Sequence, residues 1–278
     1  MDLVFSDIHA DINALNMIME IVNSENFKKK YGEISRILNL GDVLERGTHP
    51  KQVLDKLELL AETLPIFSVM GNHDEAFLYG RKVSGSSLES IDAHFSLTDK
   101  ELEFFKKNKD ETYGTQEFID KKNRLICVHG GPLDSKKITP KDAGSEAWLY
   151  EKSWQRLSEE GFEFFSYAGY HYKALSAFEA KKNLENFVIL CGHQHMEAVF
   201  EQDRKGVNEI LSSTTPNKEK ISNYILEKKE FEIKSTSNYL FRLGLGGPEG
   251  YYGVGASKPH FGIIQYNPKK VILFNVNP

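Results

Sequence analysis

The chain has 278 residues, 40% of them hydrophobic and 27% charged, with a formal net charge of −5 and a pI near 6.0. That length and balance support a substantial core and exclude disordered and fibrous classes. The mild acidity offers no broad attraction for nucleic acid or anionic membranes.

The first apolar run, LVFSDIHADI, predicts a strand from Leu3 with Asp7 and His9 at its C-terminal end. Residues two apart on a strand share a face. The pair is therefore expected to project together, as two metal ligands or as a turn aspartate beside a surface histidine. Ile12, Leu15, Ile18, Met19 and Val22 then recur at helical spacing, with Asp11 available near the helix start. Lys28, Lys29 and Lys30 read as a solvated helix end. SRILNLGD predicts a second strand. Pro50 opens a helix with Val53, Leu54, Leu57 and Leu60 on one face, ending before Pro65, and IFSVMGNHD predicts a third strand. Strand and helix alternate, which argues for an α/β core.

Residues 76–123 hold a loop around SGSS and a helix at LTDKELEFFKKN with Thr98 as N-cap. RLICVHGG and FVILCGHQH predict the fourth and fifth strands. Between them, residues 132–186 form an insert containing Trp148, Trp154 and the cluster FEFFSYAGYHY. A helical cap packing its aromatics on the core is the first expectation, and base stacking against a substrate the second. Beyond the fifth strand the chain reads as β-rich, with FGIIQY and VILFNV joined through NPKK as a hairpin. RLGLGGPEGYYGVG matches neither a P-loop nor a dinucleotide fingerprint and reads as a tight connector. Residues 1–278 are expected to form a single domain. Cys127 and Cys191 lie in apolar runs and read as reduced core residues. No apolar run reaches membrane-spanning length, and the strand starting at Leu3 leaves no room for a signal peptide, so a cytoplasmic protein is expected.

Four more predicted strands end as the first does. Gly41 and Asp42 close the second, Asn72, His73 and Asp74 the third, His129 the fourth, and His193 and His195 the fifth. In open α/β sheets the ligand site lies beyond the carboxyl ends of the strands. Asp7, His9, Asp42, Asn72, His129, His193 and His195 thus form one candidate donor set. Oxygen and imidazole without thiolate suit manganese, iron, zinc or similar ions. The set exceeds what one tetrahedral ion needs, whereas two ions about 3.5–4 Å apart sharing a carboxylate use it naturally. His49, His94, His171 and His260 lack such context and are read as surface or packing residues.

The ordered set SDIH, GDVLERG, GNHD, VHGG and GHQH resembles the calcineurin-like metallophosphoesterase superfamily over residues 7–195. The resemblance implies a β-sandwich of two mixed sheets flanked by helices, an α/β fold classed as α+β in some schemes. It also implies a dinuclear centre at the strand ends. Asp7, His9, Asp42 and His195 would hold one ion, and Asp42, Asn72, His129 and His193 the other. Manganese is the first expectation, with iron, zinc, nickel or cobalt as alternatives. GDVLERG resembles the GDxxxRG of the serine/threonine phosphatase and diadenosine-tetraphosphatase branch, where the arginine, here Arg46, grips substrate phosphate. SDIHAD departs from that branch's GDxHG, Asp74 stands where it usually has Glu, and the compact GHQH resembles bacterial and archaeal phosphodiesterases.

The implied activity is hydrolysis of phosphate mono- or diesters by a metal-bridging hydroxide attacking in line, with Arg46 neutralising phosphoryl oxygens. His73 is placed to protonate the leaving alkoxide, and Asp74 is expected to hydrogen-bond the His73 ring. Arg46, Asn72 and His73 are the expected substrate contacts. A small nucleotide-type phosphoester is the expected substrate, with a phosphoprotein or a dinucleoside polyphosphate as alternatives. A scaffold that keeps the fold without activity is the non-enzymatic alternative. Composition and motifs leave the oligomeric state open.

Overall fold

A computed structural model describes residues 1–81, 85–106, 114–159, 168–251 and 258–277. Its strands in chain order are β1 (Asp2–Phe5), β2 (Arg36–Asn39), β3 (Ile66–Ser68), β4 (Glu117–Asp120), β5 (Leu125–Val128), β6 (Arg156–Leu157), β7 (His171–Tyr172), β8 (Val188–Cys191), β9 (Ala198–Asp203), β10 (Gly206–Glu209), β11 (Asn217–Ile221), β12 (Tyr224–Glu232), β13 (Asn238–Arg242), β14 (His260–Tyr266) and β15 (Lys269–Asn277). The helices are α1 (Ile12–Asn23), α2 (Glu25–Tyr31), α3 (Pro50–Ala61), α4 (Asn72–Leu78), α5 (Leu88–Phe95), α6 (Asp99–Leu102), α7 (Ser135–Ile138) and α8 (Ala174–Ala180).

One sheet has the order β11-β12-β15-β14-β1-β2-β3 and the other β10-β9-β13-β8-β5-β4. Both are mixed. β1, β2 and β3 run parallel while β14 opposes β1. β5, β8 and β13 run parallel while β9 opposes β13. Successive strand residues point to opposite faces, and the buried residues sort accordingly. Val4, Leu38, Cys127, Val188, Leu190, Phe241, Ile264 and Leu273 fill the space between the sheets. Leu3, Phe5, Ile37, Ile263, Ile272 and Phe274 turn outward onto Leu15, Ile18 and Val22 of α1, Phe27 of α2 and Val53, Leu54 and Leu57 of α3. On the far side, Ile126, Val128, Ile189 and Cys191 meet Ala174, Ala177 and Phe178 of α8. The result is the expected β-sandwich of two mixed sheets with helices on its outer faces. Each fully buried large side chain contributes about 1.5–3 kcal/mol. Both cysteines are free and buried, one between the sheets and one outside them.

The helix signals read locally. Asp11 Oδ1 accepts the Ala14 N–H at 2.9 Å and caps α1, Pro50 opens α3, and Thr98 with Glu101 forms a capping box at α6. Residues 132–186 are less helical than expected. Their described part is the single turn α7, 3-10 turns at Gly144–Tyr150 and Lys152–Trp154, the two-residue ladder β6/β7 and the seven-residue α8. Leu133, Leu157 and Tyr172 of this segment pack on the outer face of the second sheet. Trp154 is buried, edge-on to Trp148 at 4.6 Å. Of FEFFSYAGYHY, residues 162–167 lie outside the described residues. Among the described residues no helix is long and apolar enough to cross a membrane.

Candidate metal centre

Sequence periodicity places Asp7 and His9 on a strand, but β1 stops at Phe5 and both residues lie in the following turn, with φ of 56° and 49°. The turn's backbone leaves the sheet to pair with the loop after β2. Asp7 N–H donates to Gly41 O at 2.9 Å, His9 N–H to Asp42 O at 2.9 Å and Ala10 N–H to Val43 O at 2.7 Å. Asp42, Glu45, Arg46, His193 and His195 also have positive φ. Such conformations cost non-glycine residues roughly 1–3 kcal/mol each and persist where surrounding structure over-determines them. Here the apolar layers below and the interlocked loops above supply that constraint.

The loops bring all seven predicted donors together at the shared rim of the sheets. Asp7, His9, Asp42 and His195 each present a donor atom within 4.8 Å of the others, and so do Asp42, His129 and His193. Asp42 belongs to both groups. Asn72, the first residue of α4, joins the second group, with Oδ1 3.1 Å from His129 Nε2. His129 Nδ1 lies 2.7 Å from Leu40 O, and His9 Nδ1 lies 3.2 Å from Leu44 O. A carbonyl only accepts, so these contacts put the proton on Nδ1 and turn the Nε2 lone pair inward, the arrangement of metal-binding imidazoles. Burial pushes His9 and His193 well below the usual histidine range, which keeps them neutral. Burial also opposes charge on Asp42, yet His129 and His73 outweigh it and hold its carboxyl low. Burial likewise opposes charge on His129, yet Asp42 lifts it to about 9, so with no ion bound the His129 ring carries a proton that a cation would have to displace.

The donor set fits a pair of divalent cations by a second criterion. Asp7 Oδ1, Asp42 Oδ2 and both ring nitrogens of His193 are buried without a hydrogen-bond partner among the described residues. His129 Nε2 and His195 Nε2 stand 3.2 Å from Asp42 Oδ2 and Asp7 Oδ1 without hydrogen-bond alignment. A buried polar atom left unpaired costs about 1–3 kcal/mol, more when charged. A cation in each group would supply the missing partner to the two carboxylate oxygens and to one ring nitrogen of His193. Asp42 Oδ1 is occupied by the His73 N–H at 2.8 Å, which leaves Oδ2 as the shared atom. Gly71 makes this possible, since a Cβ there would meet the amide nitrogen and Oδ1 of Asp42.

Asp74 does not hold His73. Its carboxylate turns the other way and accepts four backbone N–H groups, from Asp42 at 2.9 Å, Val43 at 2.9 Å, Leu44 at 2.9 Å and Gly71 at 3.0 Å. Four adjacent donors satisfy a carboxylate better than one ring, so Asp74 shapes the Asp42 loop. The contact expected of it comes from Glu45, whose Oε2 accepts from His73 Nδ1 at 2.7 Å. Glu45 is in turn seated by His94, whose Nε2 accepts the Glu45 N–H at 2.6 Å while Nδ1 donates to Ser90 O. His94 is thus a buried packing residue, as its sequence context suggests. The His73 ring stands edge-on to His9, centroids 4.9 Å apart, at the mouth of the donor set.

Arg46 faces the same mouth. Its guanidinium packs against Gly85, where any Cβ would collide with it, and lies 5.2 Å from the centre of the Tyr251 ring. Its Nε is buried, and among the described residues it has no hydrogen-bond partner and its guanidinium forms no ion pair. The glycine-dense segment read as a connector instead forms one wall of the site. Gly246 N–H donates to Ser6 O and Gly247 N–H to Asp7 O, and Glu249 Oε1 accepts from Thr48, which delivers Tyr251 to the donor cluster. Residues 252–255 of that segment lie outside the described residues. Glu45 was within reach of sequence reasoning, as an acid three residues after Asp42. Tyr251 carried no spacing signal.

The fold and the two donor groups define a β-sandwich protein with the arrangement of a dinuclear site for divalent cations. The family model described as calcineurin-like phosphoesterase matches residues 3–197, and the chain belongs to that family. A crystal structure of a metallophosphoesterase from Sphaerobacter thermophilus is similar with a TM-score of 0.59 and 18% identity, covering 100% of this chain and 88% of that one. A hypothetical protein from Pyrococcus horikoshii OT3 is similar with a TM-score of 0.58 and 14% identity, covering 99% and 88%. At those identities the likeness speaks for the fold. An uncharacterized protein of Methanocaldococcus jannaschii is 33% identical over 75 residues, which span 27% of this chain and 26% of that relative.

Proposed function

We propose that this protein is a metal-dependent phosphoesterase that hydrolyses phosphate mono- or diesters, with small nucleotide-type compounds as its substrates and manganese as its working ion. The observation that carries this reading is Asp42, which belongs to both donor groups and whose Oδ2 has no hydrogen-bond partner among the described residues. Asp7, His9, Asp42 and His195 would hold one ion, and Asp42, Asn72, His129 and His193 the other. When bound, such a pair supplies Lewis acidity that activates water and offsets charge on a phosphoryl group.

The remaining work falls to side chains of the chain. Arg46 presents a planar cationic fork suited to non-bridging phosphoryl oxygens. His73 gives the proton on Nε2 to the departing oxygen, with Glu45 at Nδ1 fixing the ring's orientation. A cytoplasmic setting is part of the same reading. Protein-phosphatase or dinucleoside-polyphosphate hydrolase activity is the second reading, favoured by the position of Arg46 four residues after Asp42.

The test is release of nitrophenol from mono- and bis-nitrophenyl phosphate by manganese-reconstituted protein, followed by a screen across cyclic nucleotides, dinucleoside polyphosphates and phosphopeptides. Turnover that disappears in His73→Ala with metal content intact supports the proposal. Inactivity toward every substrate with both ions bound favours a scaffold.

A further inference from the structure

Tyr251 reaches the donor cluster from a part of the chain beyond every motif of the family signature. Its hydroxyl oxygen lies 2.8 Å from His9 Nε2 and 3.3 Å from His195 Nε2. Those nitrogens are themselves 3.3 Å apart, and His195 Nε2 is 3.2 Å from Asp7 Oδ1. Donors bound about 2.0–2.2 Å from one cation stand roughly 2.8–3.6 Å from their neighbours, the first limit for right-angled and the second for tetrahedral spacing. The phenolic oxygen stands within that range of two of the cluster's nitrogens, closer than His9 Nε2 stands to Asp42 Oδ2 at 3.7 Å or to Asp7 Oδ1 at 3.9 Å.

The placement is built rather than incidental. Gly246 and Gly247 donate to Ser6 O at 3.0 Å and Asp7 O at 2.9 Å. Glu249 N–H donates to Asp11 Oδ2 at 2.9 Å, and Glu249 Oε1 accepts from Thr48 N at 3.0 Å and Thr48 Oγ1 at 2.6 Å. Gly250 has φ 82°, and a Cβ there would press on the backbone carbonyl of Arg46. These contacts fasten the loop on both sides of the turn after β1, so the ring is held edge-on to His195, centroids 4.8 Å apart.

We infer that Tyr251 is a further oxygen ligand of the ion held by Asp7, His9, Asp42 and His195. The inference rests on the two-ion reading above. On binding, the phenolic O–H bond breaks, its proton leaves to solvent, and the oxygen lone pair forms the bond to the cation. A hard phenolate donor suits a trivalent or hard divalent ion at this position. It also adds a negative charge to the first group that the second group lacks.

Ferric iron is the probe, because iron bound by phenolate absorbs visible light by ligand-to-metal charge transfer. Wild-type protein and Tyr251→Phe are loaded with ferric iron, and the bound iron is counted by elemental analysis. The expected result is a visible band in the wild type, absent from Tyr251→Phe at equal iron content. In calorimetric titration with manganese, Tyr251→Phe should bind one ion on the order of tenfold more weakly, a change within the range that ligand-supporting groups contribute, and the other ion unchanged. Two irons per chain with no band, or the same band in both proteins, overturns the inference and leaves the two-ion reading standing. A chain that takes up no metal overturns both.

Discussion

Glu45 Oε2 lies 2.7 Å from Nδ1 of His73, so the residue three positions after the shared aspartate, and not the one beside the histidine, orients the ring. Glu45→Gln keeps the shape but loses the charge-assisted bond. General acids of this kind contribute about 10²–10⁴-fold. The variant is expected to hydrolyse alkyl phosphates about 10- to 100-fold more slowly, with a smaller loss on nitrophenyl esters, whose leaving group needs little protonation. Steady-state rates on the two substrate types, with metal content measured in parallel, check this.

Asp74→Asn addresses the other carboxylate. It replaces an acceptor of four backbone N–H groups with a side chain whose amide faces some of the same donors. Hydrogen bonds to a charged group are worth about 1.5–3 kcal/mol each. The variant should melt several degrees lower and bind metal more weakly, as thermal denaturation and metal titration would reveal. A variant with wild-type stability but low kcat would instead return Asp74 to the role of His73's partner.

Much of this centre was legible in the sequence. The periodicity of α1 and α3, the β14–β15 hairpin and the five polar strand ends are local patterns, and local patterns survive folding. What failed was decided by contacts between segments distant in the chain. Asp7 and His9 leave strand geometry because their turn bonds to residues 41–43. Asp74 and Glu45 are both acids near His73, and only the path of the Asp42 loop decides which one touches the ring. Tyr251 lies more than fifty residues past GHQH, where no spacing rule reaches.

Gly71→Ala should disable the site without replacing any donor residue. The added methyl group would meet the backbone nitrogen and Oδ1 of Asp42, so the carboxylate must move. Overpacking of this kind costs typically 1–3 kcal/mol, and about a tenfold or greater loss of affinity for the metal should accompany it. Circular-dichroism melts and manganese titration separate the two effects.

Glu75 gives the fold a pH dependence. It is buried beside Ser153, whose hydroxyl donates to it at 2.6 Å, and burial lifts its carboxyl to about 7 from an ordinary 4.5. Between those values the folded chain keeps a proton that the unfolded chain has lost, so stability falls as pH rises through that window and levels off above it. Glu75→Gln removes the ionisation. It is expected to be more stable than the wild type at pH 8 by about 2–3 kcal/mol, with no such difference at pH 4. Chemical denaturation at the two pH values is the measurement.

In the proposed function Asp42 seats two cations at once. Anomalous diffraction from crystals grown with manganese tests it directly. Two peaks flanking Asp42 Oδ2 are expected, about 3.5–4 Å apart, one among Asp7, His9 and His195 and the other among Asn72, His129 and His193. A single peak, or none with manganese in excess, would contradict it.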